Sequence, residues 1–384
     1  MRFIHTADWH LGRLFHGVHL TEDQAHVLDQ FVAFAKDEKP DAILISGDIY
    51  DRAVPPPDAV QLLDDVLSRL VAGLKIPTFL IAGNHDSPDR LSFASRILGQ
   101  HGLHVAGRLA SAHTPFLFHD AHGPIRIVSL PYAEPAMVRS ELKQEDIHDH
   151  QAATSAMLNA LRSVPQALKS RSILLAHAFV DGGTATDSER PLSLGGSGTV
   201  SPGCFDGFDY VALGHLHQPQ FVGRESIRYS GSLLKYSFSE SEKAKSIYIV
   251  EMDAHGACAV KTVALSPRRD VRCVTAPFAE LLKGPLKNQS SDDYLMVTLT
   301  DQSAIWNALP RLRDVYSNLL CVEKWRDPAA VSPVLKFGYA QRNTLDLFGD
   351  FFAQVQQRPL SEIENSEFSK TLDALNAAGR EAPA

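Results

Sequence analysis

The feature that most constrains this chain is a series of short apolar runs, each of which leads into an acidic, amide or imidazole residue. Stretches with helical spacing separate the runs, and this alternation predicts a layered α/β domain. The runs and the polar residues at their ends are Arg2–Thr6 with Asp8 and His10, Ala42–Ser46 with Asp48 and Asp51, Thr78–Ala82 with Asn84, His85 and Asp86, Ser172–His177 with His177 itself, and Tyr210–Leu213 with His215 and His217. Because sites in α/β sheets assemble at the carboxyl edge, we expect these side chains to converge.

The polar residues provide nitrogen and oxygen ligands and no thiolate. Such a set suits Mn, Fe or Zn better than a soft metal or an all-oxygen calcium site. There are too many ligands for one ion and about enough for two. A single aspartate after a strand is usually a turn former or a helix cap, so the prediction of a two-metal centre depends on the fivefold repetition. His5, inside the first run, is predicted to be buried or to support the site.

The remaining sequence extends this α/β pattern. Two helices are predicted, at Thr21–Lys36, with Thr21 and Gln24 forming a capping box, and at Asp58–Val71. Three further strands, predicted to form a second sheet with hairpin-like connections, are Ser226–Ser230, Ser246–Met252 and Ala257–Val263. After Pro267 the pattern predicts a small α/β appendage, and after about Leu345 amphipathic helices.

Charge and composition limit the classes of function. A net charge of −8 argues against a protein that coats nucleic acid through its general surface, although a local basic groove or bound cations could still attract DNA. The four cysteines form no C-x-x-C pair and fit a reducing compartment. No apolar run reaches the roughly 18 residues of a membrane span. We therefore expect a cytoplasmic protein with no membrane contact.

The ordered series D-x-H, G-D-x-x-D, G-N-H-D, a lone histidine and G-H-x-H resembles the signature of calcineurin-like metallophosphoesterases. This resemblance implies a sandwich of two mixed β-sheets flanked by helices. The chain is more specifically similar to the SbcD family of bacterial nuclease subunits, at His5–Gly12, Gly47–Asp51, Glu189–Gly196 and Tyr229–Glu240. The similarity implies a nuclease domain at 1–266, a capping domain at 267–340 and a C-terminal helical segment at 341–384.

The resemblance also implies roles for individual residues. It assigns Asp8, His10, Asp48 and His217 to one metal, and Asp48, Asn84, His177 and His215 to the other, with Asp48 as the bridge. His85 would stabilise the transition state or donate a proton. Archaeal and eukaryotic relatives have a second histidine where this chain has Asp51. Further candidates for supporting the site or contacting DNA are Asp51, Asp86, Arg13, Arg52, Arg190 and Lys235; Asp86 could orient His85 or cap the next helix.

The resemblance implies that the protein is a DNA nuclease that uses two divalent ions. Mn²⁺ is the expected ion, and Fe or Zn are the alternatives. It would act as a double-strand exonuclease and a single-strand endonuclease in DNA end processing, hairpin cleavage, replication, recombination and repair. An SbcC-like coiled-coil ATPase is the expected partner, with the chain as a homodimer in a nucleoid-associated heterotetramer. One alternative is a phosphoesterase acting on a small nucleotide or a phosphoprotein. A non-catalytic scaffold is disfavoured because all seven ligand positions are filled.

Overall fold

The structure, a computed structural model, describes residues 1–109, 115–162, 170–190, 192, 198–285, 289–303, 305–325, 344–356 and 358–381. Within these residues, one six-stranded sheet contains β1 (Arg2–Thr6), β4 (Ala42–Ile45), β5 (Thr78–Ile81), β6 (Leu103–Ala106), β15 (Ser246–Met252) and β16 (Cys258–Ala264). Their order is β16-β15-β1-β4-β5-β6. The strands β1, β4, β5 and β6 are parallel, whereas β15 is antiparallel to both β1 and β16. The N-terminal strand therefore lies inside this sheet.

A second six-stranded sheet in the described residues contains β7 (Phe116–Asp120), β8 (Gly123–Leu130), β9 (Arg171–His177), β12 (Tyr210–Gly214), β13 (Gln220–Val222) and β14 (Arg224–Tyr229). Their order is β13-β14-β12-β9-β8-β7, with a parallel centre from β14 to β8 and an antiparallel strand at each edge. The apolar faces of the two sheets pack together, with Phe3 and Phe79 of the first sheet in one buried cluster with Ile173 and Tyr210 of the second.

Helices cover the outer faces of both sheets. The first sheet packs against α1 (Thr21–Glu38) and α2 (Pro57–Leu67), which continues as a π-helical segment at Ser68–Gly73. The second packs against α5 (Pro135–Leu142) and α6 (His150–Arg162). The predicted α/β sandwich of two mixed sheets flanked by helices is thereby confirmed.

Shorter elements connect these layers. They are β2 (Leu14–Phe15), β3 (Val18–His19), β10 (Phe179–Val180), β11 (Thr199–Val200), α3 (Pro88–Leu91), α4 (Ser95–Gln100) and two 3₁₀ turns at Pro202–Phe205 and Phe238–Glu240. A separate three-stranded parallel sheet follows, made of β17 (Val271–Ala276), β18 (Tyr294–Leu299) and β19 (Leu319–Lys324), with α7 (Phe278–Leu281) and α8 (Ala308–Arg313). This small sheet has its own core around Leu295, Val297 and Leu312.

The chain divides into two compact units. The first comprises Met1–Leu192 and Gly198–Trp325. The described part of the second contains α9 (Thr344–Gln356) and α10 (Glu362–Glu381), joined by a stack of Phe348 on Phe368 with ring centroids 3.8 Å apart. The division of the chain into domains at 1–266, 267–340 and 341–384 stays a prediction, since residues 326–343 lie outside the described ranges. No helix in the described residues is long and apolar enough to cross a membrane.

Two expectations about local structure were wrong. The strand β14 pairs in parallel with β12 in the second sheet, whereas the hairpin β15–β16 extends the first sheet, so these strands do not form one additional sheet. The N-cap of α1 is Leu20, and Thr21 makes no capping bond because its hydroxyl donates to Asp58 at 2.8 Å. The predicted capping partner, Gln24, turns instead toward the loop that follows β1.

Candidate metal centre

The predicted site residues converge where five strands end, three parallel strands of the first sheet and two parallel strands of the second. Loops after β1, β4 and β5 bring Asp8, His10, Asp48 and Asn84, while His177 ends β9 and the loop after β12 brings His215 and His217. Three groups of side chains in the described residues bring their ligand atoms within 4.8 Å of one another: Asp8 with His10 and His217, Asp8 with Asp48 and His177, and His10 with Asp51 and His85.

Asp48 lies between His10 and His177. Its Oδ2 atom is 3.5 Å from Nε2 of His10 on one side and 3.5 Å from Nε2 of His177 on the other. Its Oδ1 atom accepts a hydrogen bond of 2.9 Å from the backbone N–H of His85. One carboxylate oxygen thus faces both histidines, so Asp48 is placed where it could be shared by two cations.

On the first side, Nε2 of His10 lies 3.0 Å from Nε2 of His217. Asp8 accepts the backbone N–H of His215 through Oδ1 at 2.9 Å, and its buried Oδ2 has no hydrogen-bond partner among the described residues. On the second side, Oδ1 of Asn84 lies 2.9 Å from Nε2 of His177 and 3.2 Å from Nδ1 of His215. All seven predicted ligands are therefore in one continuous cluster.

The backbone around the cluster is held in unusual conformations. Asp8, His10, Asp48 and His215 have φ of 54°, 45°, 49° and 108°, which non-glycine residues rarely adopt. Strain of this kind is retained where the surrounding structure fixes it, and it is concentrated at functional sites.

The glycines beside the ligands allow close packing. A Cβ atom on Gly83 would lie 2.2 Å from Oδ1 of Asp48, and one on Gly214 would lie 1.9 Å from the carbonyl oxygen of Ser46. Glycine is therefore required at both positions by the close approach of neighbouring strand ends.

The electrostatics of the cluster fit divalent cations. Burial and the charge of Asp48 raise the pKa of Asp8 well above its usual value. Burial would also raise the pKa of Asp48, but the neighbouring His177, His10 and His85 lower it. Burial is the main cause that lowers the pKa of His177, His215 and His217, so these rings are neutral, as metal ligands must be. A cation between the rings and carboxylates would relieve the repulsion between Asp8 and Asp48 and give the unpaired Oδ2 of Asp8 a partner.

Asp51 and Arg13 support His10. Oδ1 of Asp51 lies 3.6 Å from Nδ1 of His10 and accepts a 2.8 Å bond from the Arg13 guanidinium, which also lies over the Tyr236 ring at 5.6 Å. Arg13 is thus an internal support with its charge paired by Asp51. His85 lies beside His10, with ring centroids 4.7 Å apart, and its Nδ1 is 2.8 Å from the carbonyl oxygen of Asp51.

The partners of Asp86 and Lys235 were not predicted from the sequence. Asp86 neither orients His85 nor caps the next helix, whose N-cap is Ser87; its carboxylate accepts the backbone N–H groups of Ile49, Tyr50 and Gly83 at 2.9–3.0 Å. Asp86 therefore joins the loops that follow β4 and β5. Lys235 does not face the cluster, because its ammonium group is paired with Asp270 at 2.8 Å and donates to the carbonyl oxygens of Ser241 and Val271.

The two other predicted DNA contacts are on the surface. Arg52 is exposed in the loop after Asp51. Arg190 is exposed as well, and its charge is close enough to the cluster to lower the pKa of His85. Of the predicted Glu189–Gly196 stretch, residues 191 and 193–196 lie outside the described residues.

Several residues that hold the ligands in place were not predicted from the sequence. The Gln24 amide donates to the carbonyl oxygens of Trp9 and His10 at 3.1 and 2.8 Å and accepts from the N–H of Gly12 at 3.1 Å. The carboxylate of Glu189 accepts the backbone N–H of His217 at 2.7 Å. For Gln24 the available signal is a glutamine near a helix start, and its spacing from Thr21 favours a capping box instead. For Glu189 it is the place of this residue at the start of the Glu189–Gly196 stretch.

Comparisons with known proteins identify families that match two parts of the chain. The family profile described as calcineurin-like phosphoesterase matches residues 1–219, which include every residue of the cluster. A second profile, SbcD_C, described as the type 5 capsule protein repressor C-terminal domain, matches residues 267–356. Among solved structures, the chain is similar to TT1561 of Thermus thermophilus, with 16% identity, 68% of this chain and 98% of that chain covered, and a TM-score of 0.38. It is also similar to a dimetal phosphatase from Danio rerio, with 12% identity, 70% and 99% covered, and a TM-score of 0.40.

Proposed function

The chain belongs to the calcineurin-like phosphoesterase family of metal-dependent hydrolases, and from this premise we propose that it is a nuclease that cleaves the phosphodiester backbone of DNA. The observation that carries this proposal is the presence in one chain of the seven-residue cluster and of a region, residues 267–356, that matches SbcD_C. An enzyme for a small nucleotide has no clear need for such an added region.

The proposed metal ligands are the seven side chains of the cluster. Asp8, His10 and His217 would hold one cation, and Asn84, His177 and His215 the other, with Asp48 shared between them. Two divalent cations, which we propose to be Mn²⁺, would supply the positive charge that activates water and neutralises the phosphate. The protein contributes a rigid frame, because strained backbone and close-packed glycines leave the ligands little freedom to move.

His85 is the proposed proton carrier. The Asp51 carbonyl only accepts hydrogen bonds, so the proton on the His85 ring resides on Nδ1. Nε2 is then the atom that can take up a proton and release it to the departing sugar oxygen. Asp51 serves this step through its carbonyl oxygen, while its carboxylate lies beside the proposed metal ligand His10.

Contacts to DNA are proposed for the exposed Arg52 and Arg190, whose guanidinium groups suit phosphate oxygens. For the ATPase partner, the support is the second unit, where Phe351, Val355 and Ile363 are exposed on amphipathic helices. Such a surface fits a groove on a helical partner. The partner is tested by asking whether DNA cleavage becomes ATP-dependent when an SbcC-like coiled-coil ATPase is added.

The nuclease proposal is tested with Asp48→Asn. We expect a fall of about 100-fold or more in Mn²⁺-dependent cleavage of duplex DNA, because the bridging charge is lost while the side-chain shape is retained. Asp65→Asn, at an exposed aspartate of α2, is the matched control. Parallel assays with a cyclic nucleotide and a phosphoserine peptide identify the substrate class. Unchanged DNA cleavage by Asp48→Asn, or faster hydrolysis of either small substrate than of DNA by the wild-type protein, would contradict the proposal.

A further inference from the structure

The proposed ligand His217 is held at three points by residues outside the metal cluster. Its backbone N–H donates to Glu189 at 2.7 Å, and its carbonyl oxygen accepts from the Lys245 ammonium at 2.7 Å. Its ring nitrogen Nδ1 lies 2.5 Å from the hydroxyl oxygen of Ser188. The other ring nitrogen, Nε2, faces His10 and the cluster.

The residues behind His217 form a connected buried network. Ser188 Oγ lies 2.6 Å from Oε1 of Glu240, and Oε2 of Glu240 pairs with the Lys245 ammonium. Lys245 uses its remaining donors on His217 O and on Ser232 Oγ at 2.8 Å. Glu240 and Lys245 are 0% and 5% exposed, so this ion pair is withdrawn from water. A buried ion pair is weak evidence for stability because desolvation offsets the attraction.

The direction of each hydrogen bond follows from the chemistry of the partners. Burial by itself would raise the pKa of Glu240, but the charge of Lys245 and hydrogen bonds from Lys245, Ser188 and Ser237 lower it, so the carboxylate is ionised and only accepts. Ser188 must therefore donate its single hydroxyl hydrogen to Glu240. Its oxygen is left as an acceptor toward His217, which requires the proton of the ring to be on Nδ1. The lone pair is then on Nε2, directed at the cluster.

We propose that Ser188, Glu240 and Lys245 are positioning residues that fix the Nδ1–H tautomer of His217 and so present Nε2 as a ready metal ligand. This inference rests on the proposed metal-binding function of the cluster. It gives a physical role to Glu240, the last residue of the stretch Tyr229–Glu240, and to Ser188, which directly precedes the stretch Glu189–Gly196. At the other metal, the same task for His177 falls to a backbone acceptor, Ser46 O at 2.9 Å, which substitution cannot remove.

The test uses the metal-free full chain labelled with ¹⁵N-histidine, and Mn²⁺ as the probe. In the wild-type protein the His217 ring should show an Nδ1-protonated ¹⁵N pattern, with the signal identified by its loss in His217→Asn. In Ser188→Ala, which keeps the ion pair, the ring should convert to the Nε2–H form or a mixture. Mn²⁺ affinity at one of the two sites, measured by calorimetry, should fall about 10- to 100-fold.

Two further variants separate positioning from general damage. Ser188→Thr keeps the hydroxyl and should restore the tautomer and most of the affinity. Ser172→Ala removes a buried hydroxyl bonded to Gly207 O and Asp209, outside the cluster, and should change neither measurement. If Ser188→Ala fails to fold, Glu240→Gln provides the same comparison, because a neutral amide no longer compels Ser188 to donate.

Retention of the Nδ1–H tautomer in Ser188→Ala and Glu240→Gln, or unchanged Mn²⁺ affinity once the tautomer is lost, overturns the inference. The tautomer is measured without metal or substrate. A negative result of the tautomer measurement is therefore distinct from failure of the nuclease proposal, which would appear as absent DNA cleavage by the wild-type protein.

Discussion

His5 offers a quantitative test of how the two sheets are joined. It lies on β1, fully buried, with Nε2 3.1 Å from the carbonyl oxygen of Leu213 and Nδ1 3.1 Å from the Tyr210 hydroxyl, both on β12. The carbonyl only accepts, so Nε2 carries the proton and Nδ1 accepts from Tyr210. Both ring nitrogens are hydrogen-bonded in the neutral ring, whereas a charged ring would be desolvated and repelled by the positive charge of Arg228.

Burial is the largest cause that lowers the pKa of His5 from 6.5 to about 3. Below pH 6.5 the unfolded chain binds a proton that the folded protein does not, so stability is lost as the pH falls from 6.5 toward about 3. The loss is about 1.4 kcal/mol per pH unit, or about 2 kcal/mol between about pH 6.5 and about pH 5.0. Above the ordinary pKa of histidine the contribution is fully present and constant.

The assay is urea unfolding of the wild-type protein and of His5→Gln in chelator, at several pH values between about 7.5 and about 5.0. Glutamine does not titrate, and the other histidines are common to both proteins, so they cancel in the difference. The difference in free energy of unfolding should be constant above about pH 6.5 and shrink by about 2 kcal/mol at about pH 5.0. His119→Gln is the control for loss of an exposed imidazole. A difference between wild type and His5→Gln that does not change with pH would refute the reasoning.

Two further predictions concern the metal cluster. Gly83→Ala places a Cβ atom 2.2 Å from Oδ1 of Asp48, so we expect the Mn²⁺ affinity measured by calorimetry to fall by about 10-fold or more. Gly73→Ala is the control and should bind Mn²⁺ normally, because the nearest atom to its Cβ is 3.8 Å away. Equal affinities of the two variants would contradict the close-approach argument. Mn²⁺ at about 100 times its Kd should stabilise the protein by about 2.7 kcal/mol in urea unfolding, because the cluster exists only in the folded chain. Excess chelator should reverse this gain, and a midpoint that does not respond to Mn²⁺ would count against a metal site.

The strand ends could be predicted from the sequence because their signal is local. Apolar runs such as Ala42–Ile45 and Thr78–Ile81 differ clearly from the turns that follow them, and parallel pairing brings those turns to one edge. The π-helical end of α2 and the sheet membership of β15 have no comparable local signal. Both depend on which distant surface the segment packs against.

Side-chain roles were predictable only where residue type and position together limited the choice. Aspartate is a residue type that often caps helices, which favoured that role for Asp86. In the structure its carboxylate instead accepts three backbone N–H groups from the loops after β4 and β5. Lys235 lies close in sequence to a site loop, but the approach of Asp270 beside the small C-terminal sheet decides its direction. The network of Ser188, Glu240 and Lys245 joins segments about 50 residues apart, and no spacing rule describes such a contact.

The position of β1 between β4 and β15 has a consequence for how the chain is made. During synthesis, β1 can pair with β4 as soon as both have emerged, but its other edge stays open until β15 follows, some 200 residues after β4. An open edge of hydrogen-bonding groups is a template for pairing with other chains. Until β15 has been made, the free edge of β1 is therefore exposed to pairing with the edge strands of other chains.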